Sequence, residues 1–127
     1  RNAMTTDGTA RIMEEIMQNI IFDEKNINLK NCLFRQIKEQ SQDKDANNQI
    51  NGFLGEGLPQ KIPFWSKAGL MSEARHDAAW WINKNQSKTL LVVFTEGKEF
   101  ANDNNFLPEF SKAIYEFIHS EKLINLP

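Results

Sequence analysis

A chain of 127 residues with 40% apolar and 25% charged side chains suits one small domain or a large piece of one, and three Trp and nine Phe supply enough bulk for a real core. A net charge of −2 without a basic block argues against nucleic acid or an anionic membrane surface as partner. Unbroken apolar runs such as Leu90–Phe94 are far too short to span a bilayer, and the single cysteine, Cys32, excludes an internal disulfide or a paired-cysteine metal site.

Arg1–Thr6 carries no secretory signal pattern, which in a piece of a longer chain leaves the compartment open. Ile12, Met13, Ile16, Met17 and Ile20 recur on one helical face and predict a helix over about 6–20, with Thr5, Thr6 or Asp7 as N-cap. Leu29, Leu33 and Ile37, with Cys32 and Gln36 beside them, predict a second helix to about Gln40, in which Cys32 reads as a buried structural thiol. The stretch "EQSQDKDANNQ" (39–49) reads as a solvated connection without core-facing positions, and "INGFLGEGLPQKIP" (50–63) as a turn-rich approach to a sheet.

Three strands are expected at Phe64–Ala68, Ala78–Ile82 and Thr89–Thr95, with the polar "NKNQSK" joining the last two as a short hairpin. Trp80 and Trp81, as strand neighbours, must point to opposite faces. A polar loop from Gly97 to Asn105 leads to a final helix over about Pro108–His119, with Phe110, Ile114, Phe117 and Ile118 as its buried stripe. "SEKLINLP" reads as a fraying tail. The fold class is therefore α+β: two N-terminal helices, a three-stranded antiparallel sheet and a C-terminal helix packed on it. We read one unit over 1–127, with a helical part at 6–45, a connection at 46–63, and the sheet with its helix at 64–120. A strand as apolar as "TLLVVFT" wants a neighbour on each side. Its second neighbour would come from a missing N-terminal part or from another copy, as a homodimer or domain swap.

The chemistry-bearing residues gather at the strand junction: "SKAG" at Ser66–Gly69, "RHDAA" at Arg75–Ala79, then "LLVVFTEG" and the closing helix. In this order, and with "GFLGEGLP" before them, they resemble the C-terminal part of class A β-lactamase-like serine hydrolases, over roughly Thr5–Ser120. The resemblance implies that Lys67 and Gly69 match the Lys and Gly of that family's Lys-Thr-Gly strand, which lines one wall of the active site. Lys67 would be the catalytic positive charge. Ala68, Gly69, Leu70 and Arg75 would bind substrate, with the Leu70 N–H serving the oxyanion hole and Arg75 the substrate carboxylate. Gly69, lacking Cβ, would let a substrate approach the strand edge.

Two departures stand against the family pattern. Ala68 occupies the place of a Thr or Ser, so one hydroxyl contact is lost. The only Ser-x-x-Lys by letters, "SQDK" at Ser41–Lys44, lies in the polar connection with no apolar face to bury it, and neither a Ser-Asp-Asn element nor a deacylating Glu is present. The resemblance thus implies the substrate-binding C-terminal part of a serine hydrolase performing acyl transfer on β-lactam or peptidoglycan-peptide substrates, incomplete alone, extracytoplasmic and without a cofactor.

The alternative is a non-catalytic α+β binding or assembly domain with decayed motifs. On that reading Lys67 is an edge-strand charge that discourages aggregation, and Arg75, His76 and Asp77 form a surface ion cluster. His76 reads as a structural histidine. Asp77 reads as a backbone hydrogen-bond acceptor.

Overall fold

The computed structural model describes residues 3–18, 27–37 and 48–120. Its elements are α1 (Thr6–Gln18), α2 (Ile27–Leu33), β1 (Phe34–Arg35), a 3₁₀ turn (Leu54–Gly57), β2 (Phe64–Met71), β3 (Ala74–Ile82), β4 (Lys88–Phe94), α3 (Lys98–Asn102) and α4 (Phe106–Ile118). The four strands form one antiparallel sheet in the order β1-β2-β3-β4. This is the expected α+β class with one strand more than the sequence suggested. Where the apolar spacing predicted a helix running to Gln40, the helix stops at Leu33, and Phe34 and Arg35 pair with Trp65 and Phe64. A two-residue strand has no periodicity to announce it. Cys32 is exposed rather than buried. Ser41–Lys44 and the tail beyond Ser120 lie outside the described residues.

The sheet is covered on both faces. On one, α1 lays Met13 and Met17 over Ala78 and Trp80, with Leu33, Trp65, Leu90 and Val92 around them. The cap of α1 is Thr5, whose hydroxyl accepts the Gly8 N–H at 3.0 Å. On the other face the 3₁₀ turn and α4 cover Phe64, Ala68, Ala79 and Trp81, so the two tryptophans do diverge, and both are buried. The inward stripe of α4 agrees with the predicted one at Ile114 but not at Phe110 or Phe117. Leu107 and Ser111 are fully buried, with Ile114 packed beside them, whereas Phe117 is 62% exposed. The helix begins two residues before Pro108, which turns its inward face toward Leu107.

Ser111 lies at the closest approach of α4 to the 3₁₀ turn. Its hydroxyl donates to the Leu54 carbonyl at 2.6 Å. Gly57 makes that approach possible, because a Cβ there would lie 2.0 Å from the Pro108 carbonyl oxygen and 2.3 Å from Ser111 Oγ. Backbone cannot yield as a flexible side chain does, so Gly57→Ala is expected to destabilise the fold by about 1–3 kcal/mol. A chemical-denaturation midpoint unchanged from wild type would show that the turn and helix can separate freely.

Candidate functional site

β2 and β3 pair without a bulge from Phe64↔Trp81 to Met71↔Ala74. With a side-chain period of two, the register sorts the motif residues onto faces. Trp65, Lys67 and Gly69, with His76, Ala78 and Trp80, lie on the α1 face. Ser66, Ala68, Arg75, Asp77 and Ala79 lie on the face of the 3₁₀ turn and α4. The register makes Gly69 the partner of His76, Leu70 that of Arg75, and Ala68 that of Asp77.

β1 covers only the first two residues of β2, so the edge of β2 beyond Trp65 has no strand neighbour among the described residues. The Ala68 N–H points outward at this edge, donating at 2.9 Å to Gln49 Oε1. Strand alternation turns the Leu70 N–H to the same side. Lys67 is exposed, and its ammonium folds back to donate to the Ala68 carbonyl at 2.6 Å. Beside it an open, mainly apolar cavity of about 280 Å³ runs toward α1, lined by Met4, Ile12, Leu33, Lys67, His76 and Phe94 among others. At Gly69 an added Cβ would meet only His76 Cβ, at 3.9 Å, an ordinary contact. Folding therefore does not require a glycine at this position.

Arg75 is 5% exposed. Its Nε and Nη2 donate to the Ala101 carbonyl at 3.2 and 2.9 Å, Nη2 also to Asn104 Oδ1 at 2.9 Å, and Nη1 to the Gly52 carbonyl at 3.0 Å. Phe53 lies under the guanidinium, 5.1 Å from its centre. Gly52 is held at φ 79, and a Cβ there would sit 2.7 Å from Nη1, so both its backbone angle and the closeness of Arg75 call for glycine. Arg75 thus ties α3 and the loop that follows it to the turn before β2. It does not stand on the surface as part of an ion cluster, and among the described residues no carboxylate lies within ion-pairing distance of it. A substrate carboxylate would meet this cation only through or in place of its present partners.

His76 is held by its backbone-facing nitrogen, Nδ1 accepting the Thr95 N–H at 3.1 Å, and its ring packs on Phe94 at 4.6 Å. Asp77 Oδ2 accepts the Leu54 N–H at 3.0 Å, the backbone-acceptor role expected for it. The opposite oxygen, Oδ1, has no hydrogen-bond partner, and neither has the fully buried Ser66 Oγ. Burial raises the Asp77 carboxyl from 3.8 to about 7, outweighing the backbone N–H groups of Leu54 and Ala78 and the charges of Lys67 and Arg35, which pull it down.

Sequence reasoning passed over Gln49, Gly52, Ala101 and Asn104 as partners of the site. Gln49 closes a stretch read as solvated connection, and it is half-buried against β2. Backbone carbonyls carry no sequence signal at all, and nothing in the composition around Gln49 marks it.

The sequence profile of the Beta-lactamase enzyme family matches residues 2–118. No curated protein sequence matches the chain. Among solved structures, a beta lactamase from Burkholderia vietnamiensis superposes with a TM-score of 0.72 at 12% identity, covering 93% of this chain and 41% of its own. A beta-lactamase from Streptosporangium roseum gives 0.70 at 17%, covering 93% and 42%. The structure of PBP-A gives 0.67 at 15%, covering 93% and 44%. The chain thus spans less than half the length of each of these proteins.

Asp77 also sets a pH dependence. A folded-state value raised above the unfolded one means that folding holds a proton. The stabilisation is full below 3.8 and is lost as pH rises through about 7. Asp77→Asn keeps an oxygen for the Leu54 N–H and removes the charge. Denaturation curves are expected to coincide for the two proteins below pH 4 and to favour the variant by a few kcal/mol at pH 8. Parallel curves across this range would refute the assignment. The family profile, the sheet topology and the superpositions agree with one another, and this chain belongs to the Beta-lactamase enzyme family.

Proposed function

We propose that this chain forms the substrate-binding wall of an acyl-transfer site of the β-lactamase-like serine hydrolase type, acting on β-lactams or peptidoglycan peptides. The observation that carries the reading is the open edge of β2. There an exposed ammonium at Lys67, a glycine at 69 that folding does not demand, and the outward N–H of Leu70 follow one another. A substrate carbonyl at this edge accepts from the Leu70 N–H, and the charge developing on its oxygen is stabilised there. Lys67 supplies positive potential beside the cavity. Arg75, the register partner of Leu70, acts from beneath. As a buried cation without a carboxylate partner among the described residues, it adds attraction for an anionic substrate while holding the flanking turns.

The nucleophile is proposed to come from polypeptide beyond these 127 residues, in line with the share of each solved relative that the chain spans. The same reading makes the location extracytoplasmic, as for its family. Ala68 favours a second reading, a binding or assembly domain without catalysis, because its methyl cannot supply the hydroxyl that the family uses on this strand.

Labelling with a fluorescent penicillin separates the two. A longer protein that contains this chain together with a Ser-x-x-Lys segment is expected to be acylated, and the 127-residue chain alone is not. Within the longer protein, Lys67→Ala should slow acylation on the order of 10²-fold. Gly69→Ala should slow it while leaving thermal stability unchanged. Unaltered labelling in both variants would leave the binding-domain reading.

β4 has one strand neighbour among the described residues, and its central residues are only half-buried. The isolated chain is accordingly expected to self-associate through this edge. Light scattering after size exclusion checks this, and a monomer across the micromolar range would contradict it.

A further inference from the structure

Gln49 stands on the open edge of β2, held there by its own turn. Asn48 Oδ1 accepts the N–H groups of Ile50 at 2.8 Å and Asn51 at 3.1 Å, which fixes the backbone around residue 49. The group bound to the Ala68 N–H must be an acceptor, so the amide oxygen of Gln49 faces the strand. The NH2 end therefore points away from that bond. Among the described residues neither of its two donors has a partner. An unused pair of donors thus sits near the Ala68 N–H, at the strand position where the family would present a hydroxyl.

We propose that Gln49 is a substrate-binding residue of this site, its side-chain NH2 donating to the substrate carboxylate in place of the hydroxyl missing at Ala68. The inference rests on the functional reading above and specifies what the site takes. Gln49 already occupies the Ala68 N–H, so an extended peptide cannot add as a strand along the whole edge. The Leu70 N–H remains for one acyl carbonyl, and Gln49 with Lys67 for one anion. The ligand class is a compact acylated monocarboxylate rather than an extended chain.

The test follows backbone and side-chain amides of the 127-residue chain by ¹H–¹⁵N chemical shift during titration with phenylacetylglycine and, separately, with its methyl ester. The acid is expected to shift the Gln49 NH2 pair together with the Leu70 N–H, and to bind more tightly than the ester. Gln49→Ala should weaken the acid by up to about tenfold and leave the ester unchanged. Shifts at Leu70 and Lys67 that persist with the same acid preference in Gln49→Ala would overturn the role of Gln49 and leave the site reading intact. No shift at Leu70 or Lys67 with either compound would remove the site reading, and this proposal with it. Should Gln49→Ala lose its folded spectrum, Gln49→Glu keeps an oxygen for the Ala68 N–H and replaces the donors by an anion. It must then reject the acid while still taking the ester.

Discussion

Eight consecutive residue pairs between β2 and β3, with no bulge to break the alternation, decide what every polar residue near the site can do. A slip of one residue would turn Lys67 into the core beside Ala79 and expose Ala68. Because Phe64, Ala79 and Trp81 are all fully buried on one face and Ala78 and Trp80 nearly so on the other, such a slip would expose large apolar surface on both sides of the sheet. The register is therefore held by the core, and the position of the ammonium at Lys67 follows from packing some distance away.

The face opposite Lys67 is unusually polar for a sheet interior. Ser66, Arg75 and Asp77 are all buried there, and each has a different relation to the surrounding backbone. Arg75 satisfies one carbonyl of α3 and one of the turn before β2, Asp77 satisfies the first N–H of the 3₁₀ turn, and the Leu54 carbonyl at that same residue takes the Ser111 hydroxyl. The segment before β2 has little regular structure, so these side chains do the work that a strand ladder would do elsewhere. They also brace, from one face, the strand whose outer edge carries the Ala68 and Leu70 N–H groups. The unpartnered Asp77 Oδ1 and Ser66 Oγ mark where this network is incompletely satisfied.

At the far side of the sheet β4 presents half-buried Leu90, Leu91, Val92 and Val93, a composition suited to a strand inside a sheet, at a position that in the described residues is an edge. The two edges of the sheet thus differ in kind. That of β2 bears an ammonium, a glycine and a side-chain amide. That of β4 bears aliphatic residues, the groups of a strand-pairing surface.

Much of this was legible in the chain itself. Helix periodicity located α1 and its cap, strand runs located β2, β3 and β4, and parity along a single strand required Trp80 and Trp81 to diverge, because each of these signals is contained in a few neighbouring residues. The order of "SKAG", "RHDAA" and "LLVVFTEG" sufficed to indicate the family. What the tertiary structure alone decided is everything that depends on which distant residues meet. β1 lay hidden in a helical pattern until Phe34 found Trp65. The fate of Arg75 depended on the carbonyls of Gly52 and Ala101, which any residue type could have offered. Gln49 gained its meaning only from the Ala68 N–H, nineteen residues later in the chain. Local preferences are written in side chains, whereas partners across long loops are selected by the energy of the whole packed chain, and no short stretch of sequence contains that sum.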